Sequence, residues 1–117
     1  MKYMLLIYMN ENAMDESERE QCYKDSTELA HELKTNGLYL SANPLQPVET
    51  ATSVRVREGK RIVTDGPFAE TREQLGGYFL VEARDLDAAM NIAARIPAAG
   101  KGTVEIRPVI EIPGLPG

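Results

Sequence analysis

The chain of 117 residues is long enough for one domain with a buried core and too short for two. Its 43% hydrophobic and 26% charged residues are typical of a globular protein, and its net charge of −5 argues against a nucleic-acid-binding surface, which needs a basic face. A single cysteine, Cys22, rules out an internal disulfide and favours a reducing compartment.

The amino-terminal segment predicts a cytoplasmic protein. The apolar run after Lys2 is shorter than the hydrophobic region of a secretory signal and lacks a small-residue cleavage site. No segment approaches the roughly 20 apolar residues that a membrane-spanning helix needs. We therefore expect neither a membrane nor a nucleic acid as a partner.

Two apolar runs in the first half of the chain predict strands. Residues 2–9 form a nearly continuous apolar run, which is typical of a strand buried on both faces. Residues 38–45 fit a second strand that runs into a bend marked by Pro44 and Pro47.

The segment DESEREQCYKDSTELAHELKTNG between these runs predicts a long amphipathic helix. Either of two pairs fits a capping box at its start, Asp15 with Glu18 or Ser17 with Glu20. Gly37 fits the left-handed position just past its end. Residues at helical spacing give its buried face: Cys22, Ser26, Leu29, Ala30 and Leu33.

The second half of the chain predicts a β-hairpin, a strand, a helix and a last strand. TSVRVREGKRIVTDG alternates and turns at residues 58–60, and the apolar strand GGYFLVEA comes later. DLDAAMNIAARIP fits a helix capped by Asp85, and TVEIRPVIEI fits the last strand. The helix stripe is Leu86, Ala89, Met90, Ala93 and Ile96. We expect one domain over residues 1–112 and a loose tail over residues 113–117.

Without the hairpin, the order of elements is β-α-β-β-α-β, which is that of the ferredoxin-like α+β fold. In this fold both helices cover one face of an antiparallel sheet and leave the other face open. Residues 3–9 and 78–83 are apolar on both of their alternating sides, so the open face is expected to attract a partner. We expect a homodimer that packs sheet to sheet.

Asp65, in the stretch TDGPF, fits two roles. Before Gly-Pro, its side chain can close the end of the hairpin by accepting hydrogen bonds from nearby backbone N–H groups. It can also serve as an acid/base group, or as an anchor for a ligand's donors, where a strand leaves the sheet. The two roles are compatible.

The residues around Asp65 leave further alternatives open. Glu70, Arg72 and Glu73 fit a solvated loop, whereas the functional alternative brings Glu70 beside Asp65 in one pocket. Phe68 fits a core position better than a stacking surface. Gly76-Gly77 fits a bulge or a close backbone approach, since it lacks the pattern of a phosphate-binding loop.

Arg107 is the most informative charged residue. If Val104 and Ile106 face the helices, alternation places Glu105 and Arg107 on the open face, inside the expected dimer. A buried arginine must be paired, either with Glu105 or Asp65 or with a bound anion. No metal site is expected, because His31 is the sole histidine and no cysteine lies near it.

The stretch VTDGPFAETREQLGGYFLVE resembles the signature of the YCII-related proteins, in their DGPF subgroup. The resemblance extends over nearly the whole chain, through NGLYLSANPLQP, ATSVRVREGKRIV, DLDAAMNIAARIP and TVEIRPV. It implies a ferredoxin-like fold of the dimeric α/β barrel type. Members of the family occur alone or joined to extracytoplasmic-function sigma factors, and most have no assigned activity.

The resemblance also implies a place for catalysis. Some members of the wider group are small-molecule enzymes in which a histidine of the first helix acts with an aspartate. Counted back from the glycine that ends the helix, that histidine position falls on Ser26 here, and His31 is not in register with it. A serine cannot act as an acid/base near neutral pH without help.

Asp65 is therefore the candidate catalytic residue. The candidate substrate-binding residues are Gly66, Pro67, Phe68, Glu70 and Arg107, with Arg107 stabilising an anion. The expected function is acid/base chemistry on a small anionic or carbonyl metabolite, without a metal or other cofactor. The alternatives are a non-catalytic ligand-binding or regulatory module, which the missing histidine and the sigma-factor fusions favour, and a purely structural dimer.

Overall fold

The computed structural model describes residues 1–117, and its elements follow the predicted order. Short 3-10 helices at Val48–Thr50 and Pro97–Gly100 are the additions. The six strands and two helices are β1 (Lys2–Met9), α1 (Glu16–Thr35), β2 (Tyr39–Pro44), β3 (Thr52–Arg57), β4 (Lys60–Asp65), β5 (Gln74–Glu82), α2 (Leu86–Arg95) and β6 (Thr103–Pro108).

Four of the strands form one antiparallel sheet in the order β2-β5-β1-β6. This order, with a helix after β1 and another after β5, is that of the ferredoxin-like α+β fold, as predicted. β1 and β5 are the central strands, so the most apolar segments of the chain lie in the middle of the sheet.

The core lies between the sheet and the two helices. Alternate residues of β1 and β5 are buried, while the residues between them point to the opposite face. Leu5, Leu33, Val81 and Ile96 are the largest fully buried side chains. The hydrophobic cluster holds 12 buried residues from the sheet, α1, α2 and the turn after α2. Both helices therefore cover one face and leave the other face without cover.

Helix α1 begins and ends as its sequence predicts. The first of the two alternative capping boxes is formed: the Asp15 carboxylate accepts from the Glu18 N–H at 2.8 Å, and the Glu18 carboxylate accepts from the Asp15 N–H at 3.3 Å. Gly37 has a φ of 74°, the left-handed conformation expected just past the helix. Neither helix is both long and apolar enough to cross a membrane.

In helix α2 the predicted stripe is partly wrong. Leu86 and Met90 are 50% and 44% exposed, whereas Ile92, which the prediction omitted, is buried. The buried positions of the helix are Ala89, Ile92 and Ala93. The small alanine side chains let the helix backbone approach the sheet. With the alanines facing the sheet, Leu86 and Met90 lie toward solvent.

We expect Glu18→Gln to lower the free energy of unfolding at neutral pH. The Glu18 carboxylate forms an ion pair with Lys101, whose ammonium group also donates to the Ala13 carbonyl at 3.3 Å. The hydrogen bond from Lys101, followed by the backbone hydrogen bond from Asp15, holds the pKa of Glu18 below its usual range. Since the pKa is depressed in the folded state, the contribution is complete above the unfolded-state value of about 4.3 and is lost as the pH falls through the folded-state value.

Urea unfolding across this pH range measures the effect. The difference between wild type and Glu18→Gln should disappear in acid. Glu20→Gln, which removes the same charge from an exposed position without an ion pair, is the matched control. A difference of equal size at all pH values would contradict the ion-pair contribution.

The second sheet is a separate two-stranded hairpin of β3 and β4, which we call the arm (residues 52–65). Glu58 and Gly59 form its turn with φ values of 50° and 75°, both positive as in a type I′ turn. The arm packs extensively against no other helix or strand. The radius of gyration of 16.0 Å accordingly exceeds the value of about 13 Å for a compact domain of this length.

Candidate functional site

The uncovered face of the four-stranded sheet, which we call the open face, carries two rows of side chains that run across all four strands. Because paired residues of neighbouring strands share a face, the register places each row directly. One row is Glu105, Leu6, Tyr78 and Asn43, and the next is Arg107, Met4, Leu80 and Ser41. Each row has apolar residues at its centre and polar residues toward its edges.

Tyr78 is the most constrained polar side chain of the open face. Its hydroxyl accepts a hydrogen bond from the Asn43 amide at 3.1 Å and shares a second one of 3.1 Å with the Ser41 hydroxyl. These two hydrogen bonds, that with Ser41 first, hold the pKa of Tyr78 below its usual value of about 10. A hydroxyl in this setting is a better proton donor than a free tyrosine.

Arg107 lies on the same face, at the opposite edge of the apolar centre. As predicted, it neighbours Glu105, whose carboxylate is 4.0 Å from the guanidinium. The Arg107 side chain is 67% exposed in the single chain and forms no ion pair with Asp65. Arg107 and Tyr78 belong to strands separated by β1 and to neighbouring rows, which places their backbones about 12 Å apart. A small molecule lying over β1 can contact both side chains.

A shallow depression of about 470 Å³ lies at one end of the open face. Its polar side chains come from the end of β1, the start of β6 and the segment before β5. Thr103 donates to the Glu73 carboxylate at 2.8 Å, which holds that segment against the sheet. The lining residues are Tyr8, Thr71, Glu73, Thr103 and Glu105.

Asp65 is the last residue of β4, at the base of the arm, and its side chain is exposed. The end of the hairpin is closed by other groups: the Gly66 N–H donates to the Ala51 carbonyl at 2.7 Å, and the Ser53 hydroxyl donates to the Gly66 carbonyl at 2.8 Å. Gly66 has a φ of 98°, which an L residue rarely adopts. The carboxylate of Asp65 is thus not used in closing the turn.

The prediction of a core position for Phe68 is wrong. Its side chain is 80% exposed, because the segment after the arm runs over the surface and does not return to the core. Pro67 and Glu70 are exposed as well. Neither Asp65 nor Glu70 forms an ion pair with Arg107, whose sole ionic contact is Glu105.

The residues of helix α1 lie away from the open face. Ser26 is half-buried, one helical turn after Cys22. Burial raises the pKa of the Cys22 thiol, and the neighbouring Ser26 side chain partly offsets this rise. His31 is exposed on the helix. No three His, Cys, Asp or Glu side chains are grouped in a way that could hold a metal ion.

The sequence reasoning missed Tyr78, Ser41 and Asn43. Their hydrogen bonds join residues 37 and 35 positions apart, so no local motif reveals them. A signal does exist in the alternation of β2, where polar Ser41 and Asn43 flank the inward-facing Ala42. Once β2 is paired with β5, that alternation places both polar residues on the side of Tyr78.

An antiparallel sheet with both helices on one face, and with a tyrosine and an arginine on the other, defines a ferredoxin-like α+β domain that leaves one face of its sheet uncovered. The chain belongs to the YCII-related family, because the model of the YCII-related domain matches residues 1–113. It is 33% identical over 114 residues to the uncharacterised protein R00369 of Rhizobium meliloti (strain 1021), a match that covers 93% of this chain and 92% of that protein. The family resemblance expected from the sequence is thus confirmed.

Proposed function

We propose that this protein binds a small anionic or carbonyl-containing metabolite on the open face and performs acid–base chemistry on it. The observation that carries the proposal is the Tyr78 hydroxyl, which Ser41 and Asn43 hold in place with a lowered pKa. Hydrogen bonds that stabilise a charged oxygen before the substrate arrives are a common means of catalysis. Leu6 is paired with Tyr78 and Leu80 lies two residues along the same strand, so covering this face would exclude water and strengthen such bonds.

Each polar group has a distinct role in this proposal. Tyr78 donates a proton, or a hydrogen bond, to a carbonyl or alkoxide oxygen of the ligand. Arg107 binds the anionic group, because its guanidinium is held by only one long contact with Glu105. Asp65 is the proposed base, and the proposed ligand-contacting residues Gly66, Pro67, Phe68 and Glu70 follow it along the chain after the end of β4.

The proposal includes a homodimer of the dimeric α/β barrel type. In the single chain, Met4, Leu6, Tyr78 and Leu80 form an apolar strip on the open face that no helix covers. Apolar strips of this kind mark interaction surfaces in soluble proteins. Two open faces packed together would bury the strip and enclose the ligand between Tyr78 and Arg107.

A non-catalytic binding or regulatory module is the second candidate. It is favoured by Ser26, a half-buried residue of α1 that the family resemblance places at the position of the catalytic histidine. Such a module would bind the same class of anion through Arg107 and Tyr78 and release it unchanged.

We expect the tyrosinate of Tyr78 to form at a lower pH than that of an ordinary tyrosine. The ultraviolet absorbance of wild type minus that of Tyr78→Phe isolates this group among the five tyrosines. Asn43→Ala and Ser41→Ala should each move the midpoint up toward about 10, while Ser53→Ala, a serine of the arm, should leave it unchanged. An unmoved midpoint in both open-face variants would contradict the assigned cause.

A thermal-shift panel of acetate, pyruvate, malate, benzoate and salicylate tests the proposed function. Wild type, Tyr78→Phe, Arg107→Gln and Asp65→Asn are compared, since a ligand at about 100 times its dissociation constant adds about 2.7 kcal/mol of stability. Binding that Tyr78→Phe and Arg107→Gln both weaken supports the open-face site. Where Tyr78 donates to the ligand, affinity should fall as the pH rises through its lowered pKa.

Incubation of each binding compound with the protein then separates the two candidates. Loss of the compound with appearance of a product, abolished in Asp65→Asn, supports the enzyme. Saturable binding with full recovery of the compound supports the regulatory module. Equal binding by wild type and the two open-face variants would contradict both candidates.

A further inference from the structure

One side of the arm is apolar, and no other helix or strand of the chain packs extensively against the arm. Val54, Val56 and Val63 lie on one side of the hairpin and are 60%, 61% and 53% exposed. An isolated two-stranded hairpin is marginally stable in water at best and gains stability when an apolar side is packed. The aliphatic side of the arm therefore needs a partner surface, and its own chain offers no extensive contact.

The charge of the arm indicates what that partner is. Four of the 13 basic residues lie in the arm (Arg55, Arg57, Lys60 and Arg61), against two of the 18 acidic residues, which gives the arm a net charge of +2 and the rest of the chain −7. None of the four basic side chains forms an ion pair within the chain. Arg61 is the one basic residue on the aliphatic side, because Arg55, Arg57 and Lys60 pair on the opposite side of the hairpin. A basic arm is attracted to the acidic body of a second copy of the same molecule, and Arg61 is the basic group that its aliphatic side presents to that copy.

The register of the hairpin places two functional groups on its aliphatic side. Val54 pairs with Val63, Val56 pairs with Arg61, and Thr52 pairs with Asp65. Paired residues and residues two positions apart share a side. Whatever surface packs against Val63 therefore also receives Arg61 and Asp65.

One symmetric arrangement offers such a surface. A face-to-face dimer whose two-fold axis runs parallel to the strands would lay the β2 edge of one sheet over the β6 edge of its partner, with like ends of the strands together. The arm follows the carboxyl end of β2, and the depression around Glu73 lies where β1 ends and β6 begins, at the same end of the sheet. In this arrangement the base of one arm and the partner's depression lie on facing edges at the same end of the dimer.

We propose that the aliphatic side of each arm packs onto the partner's open face at this depression and carries Asp65 into the partner's site. Arg61 lies against the acidic lining, where Glu73 has no ion pair of its own and Glu105 has only the long contact with Arg107. Each site is then composite: Tyr78 and Arg107 come from one chain, and Asp65 comes from the other. This rests on the open-face site of the proposed function and explains why Asp65 and Arg107 do not meet within one chain.

Thiol cross-linking between two chains of different length tests the arrangement without any ligand. In a Cys22→Ala background, a tagged chain carries Val63→Cys and an untagged chain carries Thr103→Cys; the chains are mixed and treated with a short bismaleimide. We expect a cross-linked band of mixed length. Thr64→Cys in place of Val63→Cys is the matched control, since Thr64 is the next residue and lies on the opposite side of the arm.

A mixed band at least several-fold stronger with Val63→Cys than with Thr64→Cys supports the proposal. Equal bands from both arm positions would overturn the proposal. A chain that bears both cysteines tests the alternative: a link that forms only within this single chain would show that the arm folds onto its own sheet, and would also overturn the proposal. The proposal is also overturned if no mixed band forms and the protein binds a DNA duplex in a salt-sensitive way that Arg55→Glu weakens. That result would identify the arm as a nucleic-acid-binding element. The anion-binding panel is independent, so either proposal can fail alone.

Discussion

Replacing Gly77 by alanine is expected to destabilise the protein by about 1–3 kcal/mol. Gly77 is buried in β5, and a Cβ placed there would lie 2.9 Å from the Asn43 carbonyl oxygen and 3.2 Å from the Pro44 Cα. Both contacts are with the backbone of β2, so the strand itself must move. Because Asn43 holds Tyr78, the displacement should also raise the pKa of Tyr78 toward its ordinary value.

Gly76→Ala is the matched control, one residue away in the same strand. A Cβ at this position would lie 4.0 Å from the nearest backbone atom, the Ile7 carbonyl oxygen, which is an ordinary contact. Urea unfolding of the two variants should therefore show a loss for Gly77→Ala and little or none for Gly76→Ala. Equal losses would contradict the close approach of β2 and show that the cost comes from the strand conformation alone.

This pair of glycines illustrates what a sequence can predict. A bulge or a close backbone approach was expected from Gly76-Gly77, and both are present: the β1–β5 register shifts between Ile7 and Tyr8, opposite Gly76, and Gly77 faces the backbone of β2. The same local chemistry predicted a capping box at the start of α1, and Asp15 with Glu18 is the one of its two alternatives that forms. Such features depend on neighbours in sequence or on the steric needs of one residue.

The candidate site depends on the register between β2 and β5, which can be predicted from sequence less directly than a helix cap or a tight glycine position. Tyr78 contacts Ser41 only because β2 pairs with β5 with one extra residue near Leu40. A shift by one residue would turn Ser41 and Asn43 to the opposite side of the sheet. The exposure of Phe68 had no local signal either, since an aromatic residue after a turn fits a core position as well as a surface one.

Alanine substitutions of the two neighbouring leucines of β1 separate the stability of the protomer from the stability of the dimer. Leu5 is completely buried between the sheet and the helices, whereas Leu6 is half-buried on the open face beside Tyr78. We expect Leu5→Ala to cost about 2–5 kcal/mol of unfolding free energy. That is a large part of the 5–15 kcal/mol typical of a whole domain. The loss should be the same at all protein concentrations, because it arises within one chain.

Leu6→Ala should behave differently if the open faces pack together. The apolar contact it removes lies between chains, so its cost should appear as weaker association, with a midpoint of thermal unfolding below that of wild type at concentrations where wild type is dimeric. At concentrations low enough to dissociate wild type, the two proteins should unfold nearly together. Thermal unfolding and sedimentation over a wide concentration range measure both effects. A Leu6→Ala loss that is independent of concentration would place Leu6 in a purely intramolecular contact and contradict the sheet-to-sheet dimer, and with it the enclosure of a ligand between Tyr78 and Arg107.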